Sequence, residues 1–130
     1  MRLGARDTVF MHKDKSKLFE LYGKNDVISE RHRHRYEVEP SIVPQLEEKG
    51  MLFVGRAVAD NFLDDATSKQ KEDGSKTETL RNEAFEVSGL RYFVGVQFHS
   101  EFKSTPLQPS PPFVGLIKAA IGEYDSDAEK

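Results

Sequence analysis

One stretch in the last third of the sequence decides the expected fold: RYFVGVQFHSEF, residues 91–102. Its first half is apolar, aromatic and β-branched, which is typical of a largely buried strand that ends at His99 and Glu101. Side chains two residues apart on an extended chain lie on the same side, with their backbones roughly 6.5 Å apart. A carboxylate placed there can hold an imidazole in one tautomer and stabilise its protonated form. The pair therefore indicates a general base, and the nucleophile that it would serve remains to be found.

The composition limits the classes of protein that the chain can represent. Its 130 residues suit one domain, a formal net charge of −3 argues against a nucleic-acid binder, and 37% hydrophobic residues fit a soluble globular protein. No apolar run approaches the roughly 18 residues of a membrane span, and no apolar signal core follows Met1. We therefore expect a cytoplasmic protein without nucleic-acid or membrane partners. The chain has no cysteine, which excludes disulfides and cysteine-dependent catalysis by its own residues.

Periodicity predicts the remaining elements. Residues 27–38 have β-branched and aromatic ends and a strictly alternating centre, which predicts a strand with arginines 31, 33 and 35 on one face and His32 and His34 on the other. Ser16 is expected to cap a helix at 17–22, and Ser41 is expected to cap the helix that runs through 45–49. Further strands are expected at 1–11, 51–58, 80–87 and 90–98, the last two joined across residues 88–89, and helices at 17–22, 45–49 and 113–121.

The chain divides into a folded part, residues 1–122, and an acidic tail, residues 123–130. A charged run with little hydrophobicity at about residues 64–79 cannot contribute to a core. We interpret this run as a mobile surface insertion within one domain.

Several motifs together resemble one family. RHRHRYEV at 31–38, FVGVQFHSEFKS at 93–104, PSPPF at 109–113 and the opening MRLG are similar to the C-terminal part of the glutamine amidotransferase domain of CTP synthases. The similarity covers nearly all of the chain except the insertion and the tail. It implies an α/β fold, namely the C-terminal portion of a class I glutamine amidotransferase-like domain with a mixed β-sheet flanked by helices.

The resemblance also implies a reaction. The family's glutaminase uses a Cys-His-Glu triad that forms a thioester with glutamine and releases ammonia, which is then used to make CTP from UTP. In this chain His99 would be the triad base, Glu101 its orienting residue and Arg35 a glutamine-binding residue. The missing cysteine implies that the chain supplies part of the site and is inactive alone. Ser100 stands where the family usually has proline.

Cofactors and partners follow from the same resemblance. ATP and Mg²⁺ act in the synthetase domain of the complete family enzyme and GTP is the family's activator, so no cofactor or metal is expected in this chain. The expected partners are glutamine, the remainder of a CTP synthase chain and further copies of the enzyme in a tetramer. Part of a sheet with an open edge and an uncovered apolar face also predicts self-association or aggregation of the isolated piece.

Two other interpretations of the sequence remain open. The chain could be a truncated or pseudo-amidotransferase that acts by binding or assembly. It could also be a metal-binding β domain in which His32 and His34 are ligands, although a third ligand would then have to be a carboxylate. A zinc-deaminase site is excluded because its signature requires cysteines. Interleaved glutamates at 30 and 37 favour an ion-paired strand over a phosphate-binding arginine patch.

Overall fold

The computed structural model describes residues 2–58 and 80–124. Five strands and three helices follow one another along these residues. In chain order they are β1 (Arg2–Phe10), α1 (Lys17–Leu21), β2 (Val27–His34), α2 (Val43–Glu48), β3 (Met51–Val58), β4 (Leu80–Val87), β5 (Val94–Val96) and α3 (Pro111–Ala120). Short 3-10 turns lie at Lys13–Lys15, Pro40–Ile42 and Ser100–Phe102.

The strands form a five-stranded sheet in the order β2-β1-β3-β4-β5, and every pairing between described strands is antiparallel. The expectation of a mixed sheet is therefore wrong for this part of the chain. A parallel pair needs a crossover that returns the chain in the same direction. Here α1 lies in a connection that returns antiparallel to β1, and α2 connects β2 to a strand that is not its neighbour.

The sheet is curled, and β1 pairs with its two neighbours over different lengths. It pairs with β2 from Arg2↔His34 to Val9↔Val27, but with β3 only at Val9↔Arg56 and Phe10↔Gly55. The segment after β5 then approaches edge strand β2, where the amide of His99 donates to the carbonyl of Arg31 over 2.9 Å. The curl thus brings the two ends of the sheet close to each other.

The core lies inside this curl and under α1. Its buried members are Phe10, Leu18, Phe19, Ile28, Val54, Ala84 and Phe98. Gly115 lets α3 approach α1, because a Cβ there would lie 2.5 Å from Leu21 Cδ1 and 2.6 Å from the Tyr92 hydroxyl. On its other side α3 leaves Leu116, Ile117 and Ile121 between 55% and 68% exposed. Among the residues described, no helix is long and apolar enough to cross a membrane.

Most predicted elements are present, with shifts at their ends. The Ser16 hydroxyl caps α1 by accepting from the amide of Phe19, as expected. The Ser41 cap is wrong, since the side chain of Glu39 accepts from the amide of Ser41 at the 3-10 turn before α2. Strand β2 ends at His34 rather than at residue 38, because the chain bends there.

The hairpin between β4 and β5 is confirmed, but its loop is longer and β5 covers three residues instead of nine. Phe93, expected inside a buried strand, is 50% exposed in that loop. Gly95 is needed in β5, because a Cβ there would lie 2.2 Å from the ring of Phe85. The insertion at 64–79 and residues 125–130 of the acidic tail lie outside the described residues.

Candidate functional site

His99 and Glu101 form a direct pair at the point where the chain leaves the sheet. His99 Nδ1 lies 2.7 Å from Glu101 Oε1. The backbone is not extended through the pair as expected, because Ser100–Phe102 form a 3-10 turn that begins directly after His99. The ring of Phe102 packs beside the imidazole, with the two centroids 5.1 Å apart. A local turn, rather than a strand, thus holds the carboxylate against the ring.

This arrangement selects one tautomer of His99. An ionised carboxylate only accepts hydrogen bonds, so the proton shared with Glu101 lies on Nδ1 and the neutral ring has its lone pair on Nε2. The pKa of Glu101 is lowered by the hydrogen bond from its own backbone amide and then by the bond from His99. The pair remains partly open to solvent, with 39% of the His99 side chain exposed. It can therefore take up a proton at Nε2 and keep the resulting imidazolium paired.

Arg35 lies on the bend directly after β2, on the segment beside the pair. Its side chain is exposed and forms no ion pair with a residue that the structure describes. The adjacent carbonyl of Tyr36 accepts from Gln97 Nε2 over 2.7 Å and lies 3.0 Å from His34 Nδ1. Together with the bond between His99 and Arg31, the Gln97 bond joins the segment that carries Arg35 to the segment that carries His99.

An open depression of about 480 Å³ lies near the pair. Its lining consists of Leu3, Arg31, His32, Arg33 and Phe102. Two of these are arginines, whose guanidinium groups suit anionic ligands. The depression shares Phe102 with the His99 pair, so the two features are contiguous.

A second histidine–carboxylate cluster lies inside the curl. Glu83 on β4 accepts from Arg2 on β1, and its Oε2 lies 3.3 Å from His32 Nδ1 on β2. His34 Nε2 lies 3.0 Å from the same nitrogen of His32. Burial, followed by the charge of Arg2, lowers the pKa of His32 to about 4, and burial raises the pKa of Glu83 to about 7 against the opposing effect of Arg2. Alternation predicted the shared face of the two histidines, but no sequence signal indicated Glu83 or Arg2 as their partners.

Comparison with known proteins identifies the family. The profile described as "Glutamine amidotransferase class-I" matches residues 4–119. The chain belongs to this family. Among curated proteins, the amidotransferase chain is 46% identical over 126 residues to CTP synthase 2 of Xenopus laevis, covering 97% of this chain and 18% of that protein. It is 47% identical over 123 residues to the CTP synthase of Methanopyrus kandleri, covering 95% of this chain and 19% of that protein.

A solved structure that resembles the chain comes from the same family as these relatives. The amidotransferase chain is similar to the glutaminase domain of Trypanosoma brucei CTPS, a structure with bound acivicin, at a TM-score of 0.74 and 34% identity. The similarity covers 93% of this chain and 40% of that one. The resemblance to the CTP synthase glutaminase domain and the α/β class are thereby confirmed. The chain spans only 18–19% of the length of the two curated relatives.

Ser100, the residue between His99 and Glu101, is buried in the structure. Ser100 is 4% exposed and its hydroxyl has no hydrogen-bond partner among the described residues. It occupies the first position of the 3-10 turn, after an extended His99 with φ −92° and ψ 95°. A proline is tolerated at such a first position, where no backbone donor is needed. The turn can thus accommodate the proline that the resemblance predicts here, whereas the serine buries a hydroxyl without a partner in the described part of the chain.

Proposed function

We propose that this chain forms the histidine and glutamate part of the glutamine-hydrolysing site of a CTP synthase. The observation that carries the proposal is the 2.7 Å contact between His99 Nδ1 and Glu101 Oε1 in a chain of this family. That contact leaves Nε2 as the basic nitrogen and provides a carboxylate to stabilise the imidazolium. The nucleophile in this proposal is a cysteine outside these 130 residues, because the sequence contains none.

In the proposed reaction, His99 first accepts a proton and later donates it. Nε2 of His99 accepts the proton of the thiol, and the thiolate attacks the amide carbon of glutamine. The tetrahedral intermediate then breaks its C–N bond to give a thioester, and the imidazolium returns its proton to the departing ammonia. Water hydrolyses the thioester to glutamate and restores the thiol. Glu101 touches only His99, so its role is to position and stabilise the ring.

Arg35 is proposed to bind the α-carboxylate of glutamine. A guanidinium presents two parallel N–H donors that match a carboxylate. Its exposure and the absence of an ion pair within residues 2–58 and 80–124 leave this fork available for a ligand. The bond from Gln97 to the Tyr36 carbonyl supports the placement of Arg35 beside the segment that carries His99.

The rest of the proposal concerns the complete enzyme. The ammonia is used to convert UTP into CTP with ATP and Mg²⁺, GTP activates the process, and the enzyme acts as a tetramer in the cytoplasm. None of the steps assigned to this chain uses these nucleotides or the metal ion.

A chimera tests the proposal directly. The chain replaces the matching segment of the Methanopyrus kandleri CTP synthase, and CTP formation is measured separately with glutamine and with ammonia. We expect His99→Ala to reduce the glutamine-dependent rate by roughly 10²- to 10⁴-fold, the usual contribution of a general base, and to leave the ammonia-dependent rate unchanged. His12→Asn, which removes an exposed histidine elsewhere, is the matched control.

Each result discriminates between functions. A chimera that uses ammonia but never glutamine would favour the non-catalytic alternative, in which the chain acts by binding or assembly. Equal effects of His99→Ala and His12→Asn would contradict the role of His99. Glutamine hydrolysis by the purified 130-residue chain alone would contradict the need for an external cysteine.

A further inference from the structure

Three potential metal ligands converge inside the curl, separate from the residues assigned to glutamine. They are His32 and His34 on β2 and Glu83 on β4, and one ligand atom from each lies within 4.8 Å of the other two. His32 Nδ1 is 3.0 Å from His34 Nε2 and 3.3 Å from Glu83 Oε2. A tetrahedral ion with bonds of about 2.0–2.2 Å places its ligand atoms about 3.3–3.6 Å apart. The two separations from His32 Nδ1 are therefore close to those of a coordination shell, and the third lies within 4.8 Å.

The tautomer of His34 is already the one that a metal requires. Its Nδ1 lies 3.0 Å from the carbonyl oxygen of Tyr36, which only accepts hydrogen bonds. The ring proton therefore lies on Nδ1 and the lone pair on Nε2, the nitrogen that faces the cluster. A backbone carbonyl that orients a histidine in this way is the usual outer partner of a metal-ligating imidazole.

Glu83 provides the second, independent observation. It is 2% exposed, and its Oε2 has no hydrogen-bond partner within the described part of the chain. Arg2 donates to the other oxygen, Oε1, and so leaves Oε2 to face the histidines. Leaving a buried carboxylate oxygen without a donor or cation is costly, and native structures rarely do so without a reason.

We propose that His32 Nδ1, His34 Nε2 and Glu83 Oε2 bind one divalent transition-metal ion of the zinc class, which fastens edge strand β2 to β4 across the curl. Two imidazoles and a carboxylate suit Zn²⁺ and Co²⁺, whereas Mg²⁺ and Ca²⁺ prefer oxygen ligands alone. Partly exposed His34 gives the ion a route from solvent. The ligand set excludes His99, Glu101 and Arg35, so the site is independent of the proposed glutaminase role.

The test uses the whole 130-residue chain after treatment with a chelator. Titration with Co²⁺ is followed by visible absorption, and Zn²⁺ is then added to displace it. We expect saturation at one equivalent with the strong absorption of a tetrahedral cobalt site, and a higher melting temperature with Zn²⁺ because the ion binds only the folded chain. Saturation at no defined stoichiometry, or no binding at micromolar protein, overturns the proposal.

Variants and nuclear magnetic resonance then locate the ion. His34→Gln should weaken Co²⁺ binding at least roughly 100-fold, as loss of a ligand should cost no less than loss of an outer partner. His12→Asn and His99→Gln should leave Co²⁺ binding unchanged. In the unmodified chain, Zn²⁺ should shift the imidazole resonances of His32 and His34 and leave those of His12 and His99 unchanged. Because this measurement needs no variant, it locates the bound ion even if His34→Gln fails to fold. The reverse pattern of shifts overturns the proposal.

Discussion

The two histidine–glutamate pairs of this chain, His99 with Glu101 and His32 with Glu83, have the same chemical groups in opposite environments. The residues of the first pair are two positions apart in the sequence, and their side chains are 39% (His99) and 59% (Glu101) exposed. The second joins β2 to β4, and its side chains are 0% and 1% exposed. Burial raises the pKa of Glu83 to about 7, whereas hydrogen bonds lower the pKa of Glu101.

The difference shows that the same two residue types can differ in acid–base behaviour, because burial and hydrogen bonding shift the pKa of the carboxylate in opposite directions. A solvated pair whose carboxylate stays ionised can exchange protons with a substrate and stabilise the imidazolium. A buried pair pays the desolvation cost of its charge, and it is suited to holding structure together or to binding a cation. Substitutions should therefore affect mainly stability at the buried pair and mainly the reaction rate at the exposed one.

The largest expected effect is the loss of stability in Glu83→Ala. Removal of this carboxylate leaves the guanidinium of buried Arg2 without its partner, and breaking a buried ion pair in this way costs about 3–5 kcal/mol. Denaturant unfolding of the metal-free chain measures this free energy. Glu101→Ala is the matched control and should leave the midpoint unchanged. Equal destabilisation by the two substitutions would show that burial does not distinguish the two pairs.

The next largest expected effect is on the rate of glutamine-dependent CTP formation. In the chimeric CTP synthase, Glu101→Ala should lower the glutamine-dependent kcat by roughly 100-fold, because His99 loses the group that selects its tautomer and stabilises its charge. The ammonia-dependent rate should not change, and Glu101→Asp should recover part of the lost activity. If the KM for glutamine rises while kcat is kept, Glu101 acts in substrate binding and not through His99.

The smallest expected effect concerns Ser100, which lies between the two residues of the exposed pair. Ser100→Pro should stabilise the chain by about 0.4–1 kcal/mol, because it restricts the unfolded chain at a position where the native backbone accommodates proline. It also removes a buried hydroxyl that has no hydrogen-bond partner within residues 2–58 and 80–124. Thermal unfolding of the two chains measures the gain, with Ser104→Pro, in the loop before α3, as the comparison. A loss of stability in Ser100→Pro would show that the turn after His99 is incompatible with proline.

Local features of the fold were predictable because their causes lie within a few residues. Alternation along β2 predicted that His32 and His34 share a face opposite the arginines, and the structure buries Ile28, Glu30 and His32 on that face. The Ser16 cap of α1 and the position of α3 followed from short-range patterns as well. The proximity of His99 and Glu101 was expected from their spacing, although a 3-10 turn and not a strand provides it.

Long-range features were not predictable, since their causes are far apart in the sequence. Glu86 on β4 accepts hydrogen bonds from the amides of Lys17 and Leu18 and so completes the N-terminal cap of α1. No pattern near either segment indicates this contact. The antiparallel order of the sheet was also missed, because resemblance and alternation do not reveal which strands become neighbours.

The family, the positions of most elements and the closeness of His99 and Glu101 follow from the sequence, because motifs, periodicity and caps act locally. Only the tertiary structure decided that the sheet curls, and that Arg2, His32, His34 and Glu83 meet inside it. Arg2 and Glu83 are 81 positions apart in the chain. Packing of the whole sheet brings them together, and burial there changes the acid–base behaviour of groups that look ordinary in the sequence.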